Sequence, residues 1–260
     1  MHSGERLIGR RIIEVGRVGS SMDVAAGLAY AGAEEGTVVV AEEQTSGRGR
    51  RGNKWLSPPG VNLYISIILR PDTQVERSQG LAFLGAVGMA KFLQSAFDLD
   101  ANLKWPNDVL VGNRKIAGII GETLLKQDGP PATMEAAILG IGLNINWVEI
   151  PSEIRDEATS IALELTQMVD KRLCLEGLLA ALDEEYTAYN SSGALGPILE
   201  QWRKLDCTLG RRVVMLQEDG STLEGTATDI TPYGALIIQT TTGERRVAHA
   251  GEVNIVEFGG

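Results

Sequence analysis

An α+β fold in one large domain, followed by a small all-β barrel, is what the sequence predicts. Strand-like and helix-like stretches mix over the first 205 residues without a strict βαβ rhythm. Beyond Leu205 the texture changes to five short strand-like runs divided by turn signals. The chain has 260 residues, and at roughly 100–200 per domain that leaves room for a large domain plus a small module. We expect a division into 1–207 and 208–260.

Residues 20–33 (SSMDVAAGLAYAGA) read as a helix, because Ser20 or Ser21 can cap it and Asp23 suits its first turn. The β-branched run 37–41 reads as a buried strand, and 62–69 (NLYISIIL) as a second one. Between them lies a glycine-arginine loop, 47–55. Residues 80–97 carry apolar side chains over about five turns and predict a buried helix. After Pro106 come a strand or turn (VLVGNRK), the apolar run IAGIIGE and a strand over 136–146. Helices follow at 171–190 and 195–205. The terminal strands are expected at 211–216, 222–230, 235–239, 244–247 and 253–258, with turns at Glu218-Asp219-Gly220, Pro232-Tyr233-Gly234 and Thr242-Gly243.

Composition excludes several functions. Apolar residues make up 43% and charged ones 22%, which is ordinary for a globular chain rather than a disordered or fibrous one. A net charge of −10 repels polyanions, so a general nucleic-acid binder is disfavoured. The two cysteines, Cys174 and Cys207, are too far apart for a metal-ligand or CxxC spacing, which points to a reducing compartment. The two histidines are His2 and His249, and neither has a partner motif for a nucleophilic triad. No unbroken apolar run approaches 18 residues and the N-terminus lacks a signal-peptide segment, so we expect a cytoplasmic protein with no membrane partner.

Two segments stand out chemically. Residues 47–54 (GRGRRGNK) hold four basic residues and no acidic one inside an acidic protein. Glycines allow close backbone approach, and arginine forks match carboxylate and phosphate oxygens. Such a loop suits an anion; the same composition also describes a solvated basic loop or a nucleic-acid patch. The second segment is Lys104-Trp105-Pro106-Asn107-Asp108, followed by Lys115 in an apolar flank. Proline should place Lys104, Asn107 and Asp108 at a strand end or turn, where sites are commonly built. A lysine at 115 either meets an anion or snorkels from a strand edge, and Trp105 taken alone reads as core. Neither GxxxxGK[ST] nor a strand-to-helix GxGxxG is present.

Together, GRGRRGNKWLSPPGVNLYISIILRP, LKWPNDVLVGNRKIAGIIGE and AILGIGLNIN, in this order, resemble the biotin–protein ligases. Ser20-Ser21-Met22, Gln44 and Gly251-Glu252 fall in the matching order, so the resemblance covers most of the chain. It implies a class II synthetase-like mixed sheet with flanking helices and an SH3-like C-terminal barrel. It also implies two steps: biotin and Mg²⁺·ATP form biotinyl-5′-AMP, and biotin then passes to a lysine of a biotin carboxyl carrier protein domain of a carboxylase. Carboxylate attack on the α-phosphate brings two anions together, and cations can offset that repulsion without a Cys, Ser or His nucleophile.

By resemblance, Ser20, Ser21, Gln44, Gly47, Arg48 and Lys115 face biotin, while Arg50, Arg51, Trp55, Lys104, Asn107 and Asn144 serve the nucleotide. Lys115, Arg50 and Asp108 are the catalytic candidates, and Asp108 would stand near magnesium and the incoming amine. Three departures are visible. Ser20-Ser21-Met22 stands where the family has Ser-Thr-Asn or Ser-Thr-Met, Asn53 replaces an arginine, and nothing precedes the catalytic segment that could form a helix-turn-helix. The last implies a ligase that is not also a repressor; monomer and homodimer both remain open. A lipoate or octanoate enzyme is the rival, against which stands the lack of a triple glycine leading to a histidine.

Overall fold

The computed structural model describes residues 6–71, 80–126, 133–217, 220–249 and 251–256. Seven strands form the main sheet: β1 (Ile12–Val18), β2 (Val38–Gln44), β3 (Leu63–Leu69), β4 (Ala101–Lys104), β5 (Asp108–Val111), β6 (Arg114–Leu125) and β7 (Met134–Leu143), in the order β1-β2-β3-β7-β6-β5-β4. β1 and β2 are parallel and the remaining neighbours antiparallel. The mixed sheet and its helices agree with the α+β expectation.

All seven side chains of β3 are buried, because both faces of the sheet are covered. One face carries Ile65, Ile67, Leu139, Ile141 and Ile119 into the main core, under α2 (Gly80–Phe97), α4 (Lys171–Ser192) and α5 (Gly196–Leu205). The other carries Val39, Ile68 and Ile138 against Met22, Ala25 and Ala29 of α1 (Ser21–Tyr30). α2 is long and apolar enough to cross a membrane by length and composition, which unbroken runs alone did not reveal. Its buried residues include Leu81, Leu84, Val87, Met89 and Leu93, and they make it a core helix of this sheet.

Local chemistry sets the ends of these elements. The Ser20 hydroxyl accepts from the Met22 amide and caps α1. Asp170 caps α4 by accepting from the amides of Arg172 and Leu173, and Gly193 ends that helix at φ 61°. A short helix, α3 (Ile161–Leu165), is capped by Ser160.

Five more strands, β8 (Arg212–Leu216), β9 (Thr222–Ile230), β10 (Leu236–Thr240), β11 (Arg245–Ala248) and β12 (Glu252–Ile255), pair antiparallel in the order β11-β10-β9-β8-β12. The expected barrel module is thus present as a five-stranded antiparallel sheet, and no β11–β12 ladder is seen among the described residues. The end of the last expected strand, Glu257 and Phe258, and the turn residues Glu218 and Asp219 lie outside the described residues.

Trp105 fastens this sheet to the first one. It is 2% exposed; its amide donates to Thr208 Oγ1 and its indole Nε1 to the Gly234 carbonyl, both at 2.9 Å. The Cys207 amide donates to the Leu103 carbonyl at 2.9 Å. Beside it, Asp206 accepts from the amides of Thr208 and Leu209 and from Trp202 Nε1. Burial nonetheless raises the Asp206 carboxyl above the usual range, outweighing those donors.

Candidate active site

A cleft of about 850 Å³ lies on the α1 face of the main sheet. Its floor is cleared by glycines. Gly118 of β6 pairs with Gly142 of β7, and Gly140 is next along the same face. A Cβ at Gly140 would stand 2.6 Å from Met22 Sδ; one at Gly118 would stand 2.9 Å from Cζ3 of Trp55, and one at Gly142 would run into the same indole. Trp55 therefore lies on the sheet itself.

At one end the wall is polar but uncharged. The buried Ser21 donates its amide to Gln44 Oε1 at 2.8 Å and its hydroxyl at 3.0 Å, and its Oγ is 2.8 Å from Ser66 Oγ. Gln44 Nε2 in turn donates to Ser57 Oγ, which donates to the Trp55 carbonyl. The β1–α1–β2 crossover builds this network, since its parallel pairing brings the cap of α1 beside the last residue of β2. Gly47 closes the ring: its carbonyl accepts from the Trp55 amide at 2.9 Å, and a Cβ there would stand 2.7 Å from Ser57 Oγ.

The other end is cationic. β4 and β5 form a hairpin around Trp105-Pro106-Asn107, with a cis bond before the proline, so Lys104 and Asp108 face each other at its mouth. Lys115 is the second residue of β6, its Nζ 2.6 Å from Asp108 Oδ1 and 5.2 Å from the centre of the Trp55 ring. A register shift between Val109 and Leu110 turns this part of the ladder. The Asn107 carbonyl accepts from the Ile119 amide, which fixes the hairpin over the floor. Lys115 thus meets both an anion and an aromatic face.

The glycine-arginine loop covers the cleft. Arg48 pairs with Lys54 in a one-bridge hairpin, and its Nη2 lies 2.8 Å from Asp23 Oδ1 and 3.4 Å from Glu122 Oε2. Arg50 lines the cleft beside it. Arg51 lines the cleft too, but its guanidinium is engaged elsewhere: Nη1 donates to the Leu216 carbonyl at 2.7 Å and Nη2 to that of Gln217 at 2.8 Å. The C-terminal sheet supplies the far wall, with Arg211, Glu252 and Asn254.

Of the expected site residues, the structure brings Ser20, Ser21, Gln44, Arg48, Arg50, Arg51, Trp55, Lys104, Asn107, Asp108 and Lys115 to this one cleft. Asn144 does not line it. That amide is 2% exposed, donates to the Thr159 carbonyl at 2.9 Å and accepts from Asn62 Nδ2 at 3.3 Å, so it ties the end of β7 to the loop before α3. Both of its amide atoms therefore hold protein partners.

Sequence reasoning did not single out Ser57, Ser66, Asp23, Glu122, Arg211 or the three floor glycines. A serine inside the apolar run NLYISIIL and glycines at alternate positions of LGIGLN were the available signals. Cys207 also lines the cleft, and burial, then the nearby Asp206 charge, push its thiol up to about 11 against the pull of Lys104 and Arg211. For magnesium, no three His, Cys, Asp or Glu side chains converge among the described residues.

A cleft with an uncharged hydrogen-bonding end, an aromatic over a bare floor and a cationic end is built for an amphipathic acid beside a phosphorylated partner. Residues 15–144 match the Biotin/lipoate A/B protein ligase family, and residues 208–255 match the biotin protein ligase C terminal domain. The chain belongs to the biotin/lipoate A/B protein ligase family. Among its relatives, the bifunctional ligase/repressor BirA of Bacillus subtilis is 30% identical over 246 residues, covering 94% of this chain and 74% of that protein. A biotin--[acetyl-CoA-carboxylase] ligase of Paracoccus denitrificans is 33% identical over 223 residues, 83% of this chain and 88% of that one. The biotin protein ligase of Aquifex aeolicus, solved with biotin and ATP, superposes with a TM-score of 0.79 at 28% identity, covering 95% of this chain and 99% of that one.

Proposed function

We propose that this chain is a biotin–protein ligase. A biotin carboxylate oxygen attacks the α-phosphorus of ATP, the bond to pyrophosphate breaks, and biotinyl-5′-AMP remains. The ε-amine of one lysine on a biotin carboxyl carrier protein domain then attacks the acyl carbon, and AMP leaves. The observation that carries this reading is the Lys115–Asp108 pair beside the Trp55 face, in one cleft with the uncharged Ser21–Gln44–Ser66 network at its opposite end.

That network offers both donors and acceptors, which a ureido ring needs and an aliphatic acid or dithiolane does not. Ser20, Ser21, Gln44 and Arg48 accordingly line the biotin end, and Gly47 backs it through its contacts with Trp55 and Ser57. Lys115 binds the carboxylate and then the α-phosphate oxygens as charge develops on them. Arg50, Lys104 and Asn107 attend the phosphates and ribose, and Trp55 offers its face to adenine. Asp108 orients the acceptor lysine and takes its proton. Magnesium comes with ATP and offsets charge on the phosphates. Arg51 and Asn144 receive no ligand role in this reading.

We include in the proposal a division at 207/208, supported by the second family match starting at residue 208, and a cytoplasmic setting, where ATP is available and the free thiols of Cys174 and Cys207 persist. Arginine 48 and lysine 115 already pair with carboxylates, which favours small anions over a polynucleotide as their ligand.

The test is pyrophosphate exchange into ATP with biotin, lipoate or octanoate offered separately. Exchange with biotin alone is expected, because polar groups left unpaired by the other acids should disfavour them by about 10⁴. Exchange with lipoate or octanoate instead would move the chain to the sister activity. No exchange with any of the three, from folded protein with magnesium, would remove the ligase reading.

A further inference from the structure

Arg51 occupies an unusual place. It sits in the left-handed region, φ 54° and ψ 32°, within the turn Arg50–Gly52, although every side chain with a Cβ disfavours that conformation. Gly52 follows it there at φ 80°. The guanidinium reaches out of the loop and forks onto two successive carbonyls, Leu216 and Gln217, at the end of β8. These acceptors are 165 and 166 residues away along the chain and belong to the other sheet.

β8 is no bystander. It lies between β9 and β12, and Leu216 pairs with Glu252, the first residue of β12. Glu252, Val253, Asn254 and Ile255 all line the cleft. A side chain that grips β8 therefore grips the strand on which the cleft's far wall is hung. On its other side the loop meets the main sheet through Arg48, which pairs with Asp23 of α1 and Glu122 of β6, and through the Trp55 ring lying on Gly118 and Gly142. The loop spans the two sheets, and Arg51 is its outer attachment.

We propose that Arg51 is a positioning residue that latches the glycine-arginine loop to the C-terminal sheet, so that covering the cleft and seating its far wall are one coupled event. The latch needs arginine. Two parallel N–H groups meet two carbonyls, and a lysine ammonium keeps the charge but cannot reproduce the fork. A phosphate contact would behave in the opposite way, tolerating lysine as a point charge.

Arg51→Lys and Arg51→Gly separate these roles; glycine also accepts the left-handed backbone, so the turn itself survives. In the unliganded protein, amide exchange across 212–217 and 47–54 should rise about fivefold or more in both variants. With the ligase activity proposed above, on which this second readout rests, biotinyl-5′-AMP should leave both variants about five- to tenfold faster while KM for ATP stays within about twofold of the parent value. Unchanged exchange across 212–217 in both variants would overturn the latch. So would a lysine variant that matches the parent while the glycine variant raises KM for ATP about tenfold, the pattern of a phosphate contact. If the parent protein forms no adenylate, the proposed ligase function fails, and the exchange experiment, which needs no ligand, still decides the latch.

Discussion

The indole of Trp55 rests on Gly142: a methyl group there would stand 2.5 Å from Nε1. That Nε1 is buried without an acceptor among the described residues, so the ring is held by fit rather than by hydrogen bonding. Gly142→Ala leaves the strand's backbone unstrained, and its effect should fall on the ring. The ring must shift off the floor to clear that methyl group, so KM for ATP should rise about tenfold and the urea midpoint should fall by the equivalent of about 1–3 kcal/mol. An unchanged KM would show that the aromatic does not depend on the bare floor.

Lys115→Ala removes the cation held between Asp108 and the Trp55 ring. Loss of a preorganised charge of this kind costs about 3 kcal/mol, on the order of a hundredfold in kcat. Single-turnover formation of biotinyl-5′-AMP measures it. Near-normal formation would deny Lys115 the role given to it above.

Trp105→Phe keeps most of the buried ring but strips the donor from the Gly234 carbonyl. A buried acceptor left unpaired costs about 1–3 kcal/mol. The urea midpoint should fall accordingly, with the slope unchanged if unfolding stays two-state. A midpoint equal to the parent's would mean the indole hydrogen bond adds nothing to the join between the sheets.

Cys207 lines the cleft with its thiol raised to about 11, and Cys174 is raised to a similar value by burial and then by Asp170. At pH 7.5 a thiol raised to about 11 carries roughly a hundredfold less thiolate than an unperturbed cysteine. Iodoacetamide should modify Cys207 correspondingly slowly, and faster as pH climbs toward 11. The folded pKa is the higher one, so the folded state holds these protons more tightly. The stability this contributes is intact below the unfolded thiol pKa and is lost as pH rises through about 11. Rapid alkylation at neutral pH would contradict the shielding.

Elements whose chemistry is local were legible in the sequence. α2 appears at 80–97 as expected, and β9 at 222–230, because an apolar face or an alternating run is enough to define each. β1 was not singled out, since this edge strand has no fully buried residue to mark it. α3, five residues long, is too short to show a helical period. In the site, the basic loop and the Lys104–Asp108 turn were visible by composition and by proline. The floor was not, because Gly118 and Gly142 meet only through the β6–β7 register. Nor was the work of Arg51: its acceptors are backbone carbonyls, which no residue type announces.

The cleft's walls are drawn from both ends of the chain, from Ser20 and Ser21 to the strand Glu252–Ile255, which is held in place by pairing with β8. During synthesis from the N-terminus, the main sheet and its glycine floor are complete long before that last strand emerges. The floor is then open on one side, and Leu216 and Gln217 carry no seated wall for the loop to close against. Substrate capture should therefore begin only when translation has delivered β12, so that a nascent chain stalled before residue 252 folds its larger sheet yet holds no reactive intermediate.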